Sequence, residues 1–391
     1  MNWDSIVAIL ALIAASAALF LCFLILRRMK RAHKHLRKVI RNISPTTLQS
    51  ILGAVGEPDS GPAYVVYNPT KEANWEELRK YLLEASVAAS LPEPVWLETT
   101  AEDPGPGQTR KAIAAGASVV IAAGGDGTVR AVAEELAGTN TPLGLLPVGT
   151  GNLLARNLDL PLNSPRDMAS IALTGSTRPI DVGWIEIADN LHDERLVQWA
   201  RKEELKLAKP GKYAFIVISG MGFDADVMDS TSSSLKDKVG WLAYVSAGMK
   251  NLFADKMHVA IHLGDSGKRI NTEARSVMLM NCGELTGGIV LDPNVDPSDS
   301  WLELAVLNIK GGVFGWVDLV RRVLAKNLGV RDRSWLPENS VAGDLDTLRV
   351  RTCTVHTGTL QAVQIDGDVL GYTNKLSVSL DPGALHVRVR K

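Results

Sequence analysis

The apolar and polar positions divide the chain into three textures. From Ile6 to Leu26 every one of 21 positions except Ser16 is apolar or alanine, a length that as a helix covers about 30 Å, the thickness of a bilayer's hydrocarbon. From Ala63 to Gly149 short apolar runs alternate with segments that are apolar at three- and four-residue intervals. The runs "AYVVYNPT", "VWLETT", "SVVIAAG" and "PLGLLPVG" read as strands. The segments "NWEELRKYLLEASVAAS", "GQTRKAIAAG" and "TVRAVAEELAG" read as helices, the first capped by Asn74 and the other two closed by Gly116 and Gly138. Such alternation predicts an α/β domain with a largely parallel sheet and helices on both faces.

Past Ile180 the period shortens to two. Val259, Ile261 and Leu263 alternate with His258 and His262, and "YAFIVIS", "SVMLMN", "WLELAVL", "LRVRTCTV", "LQAVQI", "KLSVSL" and "LHVRVR" are further short strands. The second domain is therefore expected to be mostly antiparallel β, with His356 and His386 also on polar strand faces. Helical spacing interrupts it from Val239 to Phe253 and from Phe314 to Leu328, and the charged stretch 192–212 reads as a surface insertion.

Composition adds constraints. With 391 residues the chain suits two domains. Forty-two basic residues against 43 acidic ones leave no overall charge with which to hold nucleic acid. Cys22, Cys282 and Cys353 are far apart in sequence, which argues against a disulfide framework or a cysteine zinc site. The one charge asymmetry follows the apolar span: "RRMKRAHKHLRKVIR" begins at Arg27, while the first five residues carry Asp4 and no base. Basic flanks stay cytoplasmic. The span is thus expected to be an uncleaved anchor (1–26) in the cell membrane, N-terminus outside and everything after residue 27 in the cytoplasm. A basic juxtamembrane segment and linker (27–61) follows, and its residues 27–41 can lie along anionic lipid. Domain boundaries are placed at 62–180 and 181–391, with a return of the last strands to the first domain left open.

Two glycine loops carry the candidate chemistry. "AAGGDGT" ends the third strand and opens a helix; "PVGTGN" ends the fourth. Loops beyond the carboxyl ends of adjacent strands are where α/β sheets bind ligands, and glycines let backbone N–H groups approach an anion at a helix N-terminus. Asp126 inside the first loop would repel a bare phosphate, so it calls for a bridging Mg²⁺, that ion's water shell or a nearby backbone donor. Thr128 can cap the helix or offer its hydroxyl to phosphate. Neither a P-loop nor a dinucleotide-binding fingerprint is present.

"GGDGTVRAV" followed by "PLGLLPVGTGNLLARNL" resembles the diacylglycerol kinase catalytic family, which includes sphingosine and ceramide kinases and bacterial lipid kinases. The resemblance runs from about Tyr64 to Val389 through "YNP", "IDVG", "FIVISGMGFDADV", "LKDKVGWLAY" and "QIDGD". It implies a small Rossmann-like α/β nucleotide-binding domain and a mainly antiparallel β-sandwich domain, which here would follow the one transmembrane helix read from the apolar span. Asn68, Thr100, Gly124, Gly125, Asp126, Gly127, Thr128, Gly149, Thr150, Gly151, Asn152 and Asp368 would hold ATP. Asp366 would be the general base toward a lipid hydroxyl, with Asp126 the second catalytic carboxylate. Asp368 stands where the family usually has Glu. Where relatives often read Asp-Asp-Gly and bind a structural Mg²⁺, this chain has Ser298, Asp299 and Ser300; Asp299 with the carbonyls of Asp296 and Trp301 would make that site. Met221, Phe223, Trp241, Leu242 and Tyr244 would line an acyl pocket, and homodimerisation is implied by the resemblance alone. The expected activity is ATP-dependent phosphorylation of a membrane lipid, diacylglycerol first and a sphingoid base, ceramide or polyprenol next. The rival is a catalytically silent nucleotide sensor at the membrane.

Overall fold

Strand β1 (Ala63–Tyr67), helix α1 (Trp75–Ala88), β2 (Val95–Glu98), α2 (Pro106–Ala114), β3 (Val119–Gly124), α3 (Asp126–Leu136) and β4 (Leu143–Pro147) follow one another in the order the apolar pattern predicts. The computed structural model describes residues 61–188, 194–222, 256–285, 289–308 and 344–391. The apolar span, basic run and linker lie outside the described residues, as do the helical patterns Val239–Phe253 and Phe314–Leu328 and the residues Phe223, Trp241, Leu242 and Tyr244. Among the described residues no helix is long and apolar enough to cross a membrane.

Strand β1 pairs in parallel with both β2 and β3, and β3 with β4, giving the spatial order 2-1-3-4. "VVIAAG" of β3 is buried throughout because helices cover both its faces. α1 packs with α5 (Pro165–Thr174), and α2 with α3. The short α4 (Leu153–Asn157) lies between β4 and α5. Asn74 caps α1 with its side-chain oxygen on the N–H of Glu77, as its position in the sequence predicts.

The second half begins with β5 (Ser176–Ile187). The charged stretch after it carries a helix, α6 (Glu194–Lys202), where the sequence suggested only an insertion. Then come β6 (Gly211–Phe215), β7 (Ile218–Met221), β8 (Met257–Leu263), β9 (Arg269–Ala274), β10 (Ser276–Met280), β11 (Glu284–Leu285), β12 (Ile289–Val290), β13 (Leu302–Asn308), β14 (Asp344–Val350), β15 (Thr352–Ile365) and β16 (Asp368–Val389). In β8 Val259, Ile261 and Leu263 are buried and His258 and His262 exposed.

Strand β16 joins the two halves. Its first residues pair antiparallel with β15, its last antiparallel with β5, and Val387 lies beside Leu143 of β4 in parallel. One sheet therefore runs β14-β13-β10-β7-β15-β16-β4-β3-β1-β2. The separate sandwich expected after residue 180 is instead made of strands of this sheet closing around a second core. Irregularities at His356/Gln361 and Asp381/Leu385 let long strands change partner along their length. One core gathers β1, β3, β4 and their helices; the other gathers Ile185, Phe215, Met221, Val259, Ile261, Leu279, Leu304, Val355 and Ile365. Cys282 and Cys353 are buried free thiols, and burial raises both, Cys353 to about 12.

Candidate active site

In the 2-1-3-4 order the chain connections run opposite ways from β1 and β3, and α/β sheets bind ligands beyond the carboxyl ends of strands at such a switch point. Asn68 leaves β1 with its N–H on the carbonyl of Ala123 at 3.1 Å, and Val148 leaves β4 with its N–H on the carbonyl of Gly124 at 3.1 Å. Both glycine loops thus start from fixed strand ends. The Asn68 carboxamide oxygen accepts the Thr70 N–H and hydroxyl. Thr100 makes its own turn with Asp103 at the end of β2.

The loops touch. A Cβ on Gly149 would lie 2.7 Å from the Gly125 Cα, closer than real atoms come, so only glycine permits this approach. Gly124 is equally committed, since a Cβ there would meet the side chain of Thr128 at 2.5 Å. Thr128 is buried beneath the turn. Gly127 faces Asp368, whose Oδ2 is 3.4 Å from where its Cβ would stand.

Asp126 is the tie between the loops. Its Oδ2 accepts the N–H of Asn152 at 3.0 Å and its Oδ1 that of Leu153 at 2.6 Å. A nearby backbone donor, one of the possibilities raised by the sequence, is therefore in place twice over. Burial raises the carboxyl, and these two donors pull it back down. Asn152, with φ of 51°, exchanges side-chain hydrogen bonds with the N–H and carbonyl of Gly149, and Arg156 Nε holds the Gly151 carbonyl at 2.7 Å. Thr150 and Gly151 sit within this clamp.

Across from the loops, Asp366 and Gly367 form the two-residue turn between β15 and β16, with φ of 46° and 92°. Asp-Gly suits a hairpin with two positive φ angles. The Asp366 side chain points inward: it is 6% exposed and accepts N–H groups of Ile216, Val217 and Ile218 at 2.8 to 2.9 Å. This explains why "YAFIVIS" is not one strand. The link between β6 and β7 turns its N–H groups to a carboxylate instead of a neighbouring strand. Burial pushes Asp366 up to about 6, opposed by those donors and by Arg130.

Two cations at the site were not singled out from sequence. Arg130 Nη2 donates to Asp368 Oδ2 at 2.9 Å, and Lys71 brings its Cε to 3.7 Å from a Cβ position on Gly125. Arg130 lies inside the "GGDGTVRAV" motif and Lys71 just after "NPT", so adjacency to the motifs was the available signal.

The glycine cradle fits a phosphate chain: a Cβ at Gly149 would close the gap between the loops, and first-turn N–H groups of α3 have no intrahelical acceptor. The expected metal site does not fit. Asp299 accepts the Trp301 N–H at 3.0 Å and pairs with Arg349, while Asp296 pairs with Arg178 at 2.6 Å. The Asp296 carbonyl accepts the Asp299 N–H. The Arg349 guanidinium thus stands at the one side-chain carboxylate of the expected site, and the Asp296 carbonyl is already engaged by an N–H.

Residues 62–185 match the diacylglycerol kinase catalytic domain. The chain is 29% identical over 195 residues to a diacylglycerol kinase of Mycobacterium tuberculosis, half of this chain and 56% of that one. The aligned part thus spans little more than half of that relative. It is also 29% identical over 283 residues to a probable lipid kinase YegS-like protein of Pseudomonas putida, 71% of this chain and 79% of that one. A crystal structure of a diacylglycerol kinase from Bacillus anthracis superposes with a TM-score of 0.59 at 21% identity, over 84% of this chain and 96% of that one. This likeness establishes the mixed α/β fold with its large sheet.

Proposed function

We propose that this chain transfers the γ-phosphoryl group of ATP to the hydroxyl of a membrane lipid, diacylglycerol being the first candidate and phosphatidic acid its product. The observation that carries this reading is the meeting of three parts: two touching glycine loops, the carboxylate that ties them, and the Asp366-Gly367-Asp368 turn facing Gly127. The names of the relatives support the same chemistry.

ATP, with Mg²⁺ as its usual counterion, supplies the phosphoryl group; the protein supplies position and charge. Gly125, Gly127 and the Gly149–Asn152 loop line the phosphate path, with Asn68 and Thr100 toward the neighbouring strand ends. Asp126 is a positioning residue, since both its oxygens are engaged by the second loop. Asp366 is the general base. One lone pair of its Oδ2 is left by the three backbone donors, and a carboxyl near 6 is ionised at neutral pH yet basic enough to take a hydroxyl proton. The residue span 6–26, with the basic run 27–41 against anionic headgroups, would tether the cytoplasmic catalytic part at the bilayer that holds its substrate. A homodimer and the absence of nucleic acid belong to the same reading.

Full-length protein in mixed micelles, with γ-labelled ATP, Mg²⁺ and a panel of diacylglycerol, ceramide, a sphingoid base and a polyprenol, tests it. Label is expected in diacylglycerol and absent with Asp366→Asn. ATP binding with no lipid labelled would replace this reading by the silent sensor.

A further inference from the structure

Arg130 stands four residues after Asp126, one turn into α3. Helical side chains lean toward the N-terminus, so its guanidinium reaches back to the end of the helix where the glycine loop opens. There it meets Asp368 from the other half of the protein, 238 residues away, at 2.9 Å. Asp368 is also the side chain facing Gly127. The Arg130 side chain is 17% exposed and that of Asp368 is 54% exposed. Glu134, one turn further along α3, is a longer 3.7 Å from Arg130 Nη1, and Arg130 Nε is buried with no acceptor.

These contacts give Arg130 a task that no part of the phosphate cradle performs. We propose that Arg130 is a positioning residue for the transfer reaction: its guanidinium fixes Asp368 across the α3 N-terminus and so places its charge at the hairpin that carries Asp366 two residues away. The inference rests on the kinase reading of the same site. The charged and titratable groups around this pair are Arg130 and Glu134 on α3, Asp126 at the start of α3, Tyr213 on β6, Cys282 after β10 and Asp368 on β16. Lys71 lies nearby against Gly125, and Arg130 is the cation in contact with Asp368. It opposes the effect of burial on Asp366, and with it in place more of the base is ionised at a given pH. A lysine would keep the charge but not the planar fork that leaves Nη1 and Nη2 in fixed directions.

The test uses full-length wild type, Arg130→Gln and Arg130→Lys, each checked for an unchanged circular dichroism spectrum. Carboxyl ¹³C NMR, with the Asp366 signal assigned by its loss in Asp366→Asn, follows ionisation without requiring activity. Arg130→Gln is expected to move the Asp366 midpoint to higher pH, and Arg130→Lys to restore most of it. In lipid phosphorylation, kcat should fall on the order of 10²-fold in Arg130→Gln with a smaller change in KM for ATP, the scale seen when one preorganised charge or donor is removed. The acid limb of kcat/KM should move to higher pH in step with the NMR midpoint. An unmoved midpoint overturns the proposal, whether or not a lipid is phosphorylated. So does a moved midpoint with wild-type kcat and pH profile. A wild type that labels no lipid while its midpoint still responds to Arg130 removes the kinase reading and retains the electrostatic coupling.

Discussion

The carboxylate of Asp126 accepts the backbone N–H of Leu153 at 2.6 Å, a bond from the first residue of α3 to the first of α4. With the partner bond to Asn152 it makes the two glycine loops one rigid object. Replacing Asp126 with Ala leaves two part-buried N–H groups without their acceptor, a loss of at most about 1–3 kcal/mol each. Asp126→Ala is expected to lower the urea midpoint and to weaken ATP binding by about tenfold or more, read by calorimetric titration; unchanged affinity would mean that the loops hold their places without the tie.

Gly149→Ala tests the cradle from the other side. The new methyl would stand 2.7 Å from the Gly125 Cα, against backbone and not a flexible side chain, so the loops must separate. The expected result is a large rise in KM for ATP with a far smaller change in thermal stability, because the strands beneath are held by their own ladder. A variant with wild-type KM would show that the loops need not touch.

The acid limb of kcat/KM should fall near pH 6. Burial raises Asp366 to about 6, the base must be ionised to accept a proton, and activity is therefore expected to climb as pH rises through that value. Asp366→Asn should lower kcat by roughly 10²- to 10⁴-fold while ATP still binds. A profile flat from pH 5 to 7 would remove Asp366 from the role of base.

Arg349 pairs with the Asp299 carboxylate, on which, with the carbonyls of Asp296 and Trp301, a structural cation was expected. Without nucleotide, the melting temperature is expected to be the same in Mg²⁺ and in EDTA. Arg349→Ala should lower it, because Arg349 Nε also holds the largely buried Glu303 at 2.8 Å. A melting temperature that rises with Mg²⁺ alone would restore the metal site.

The α/β half was legible because its signals are local. Asn74 caps its own helix, Gly116 and Gly138 close theirs, and each strand is one apolar run. The glycine loops were legible for the same reason. What could not be read was set by residues far away in sequence. Ile216 to Ile218 look like mid-strand residues, and only a carboxylate some 150 positions later turns their N–H groups aside. Arg130 was visible inside one quoted motif and Asp368 inside another, but their pairing across 238 residues was not. The Asp-Gly turn could be recognised as a hairpin signal, whereas the inward aim of its carboxylate depends on the second core.

Strand β16 has a consequence for how the protein is made. Val387 lies beside Leu143, so the sheet of the α/β half acquires its neighbour from chain synthesised about 240 residues later. At roughly 5–20 residues per second, β4 leaves the ribosome some ten to fifty seconds before that neighbour exists. Until then its edge is an open row of backbone donors and acceptors, and maturation of the nascent chain must finish after translation of its C-terminal strand.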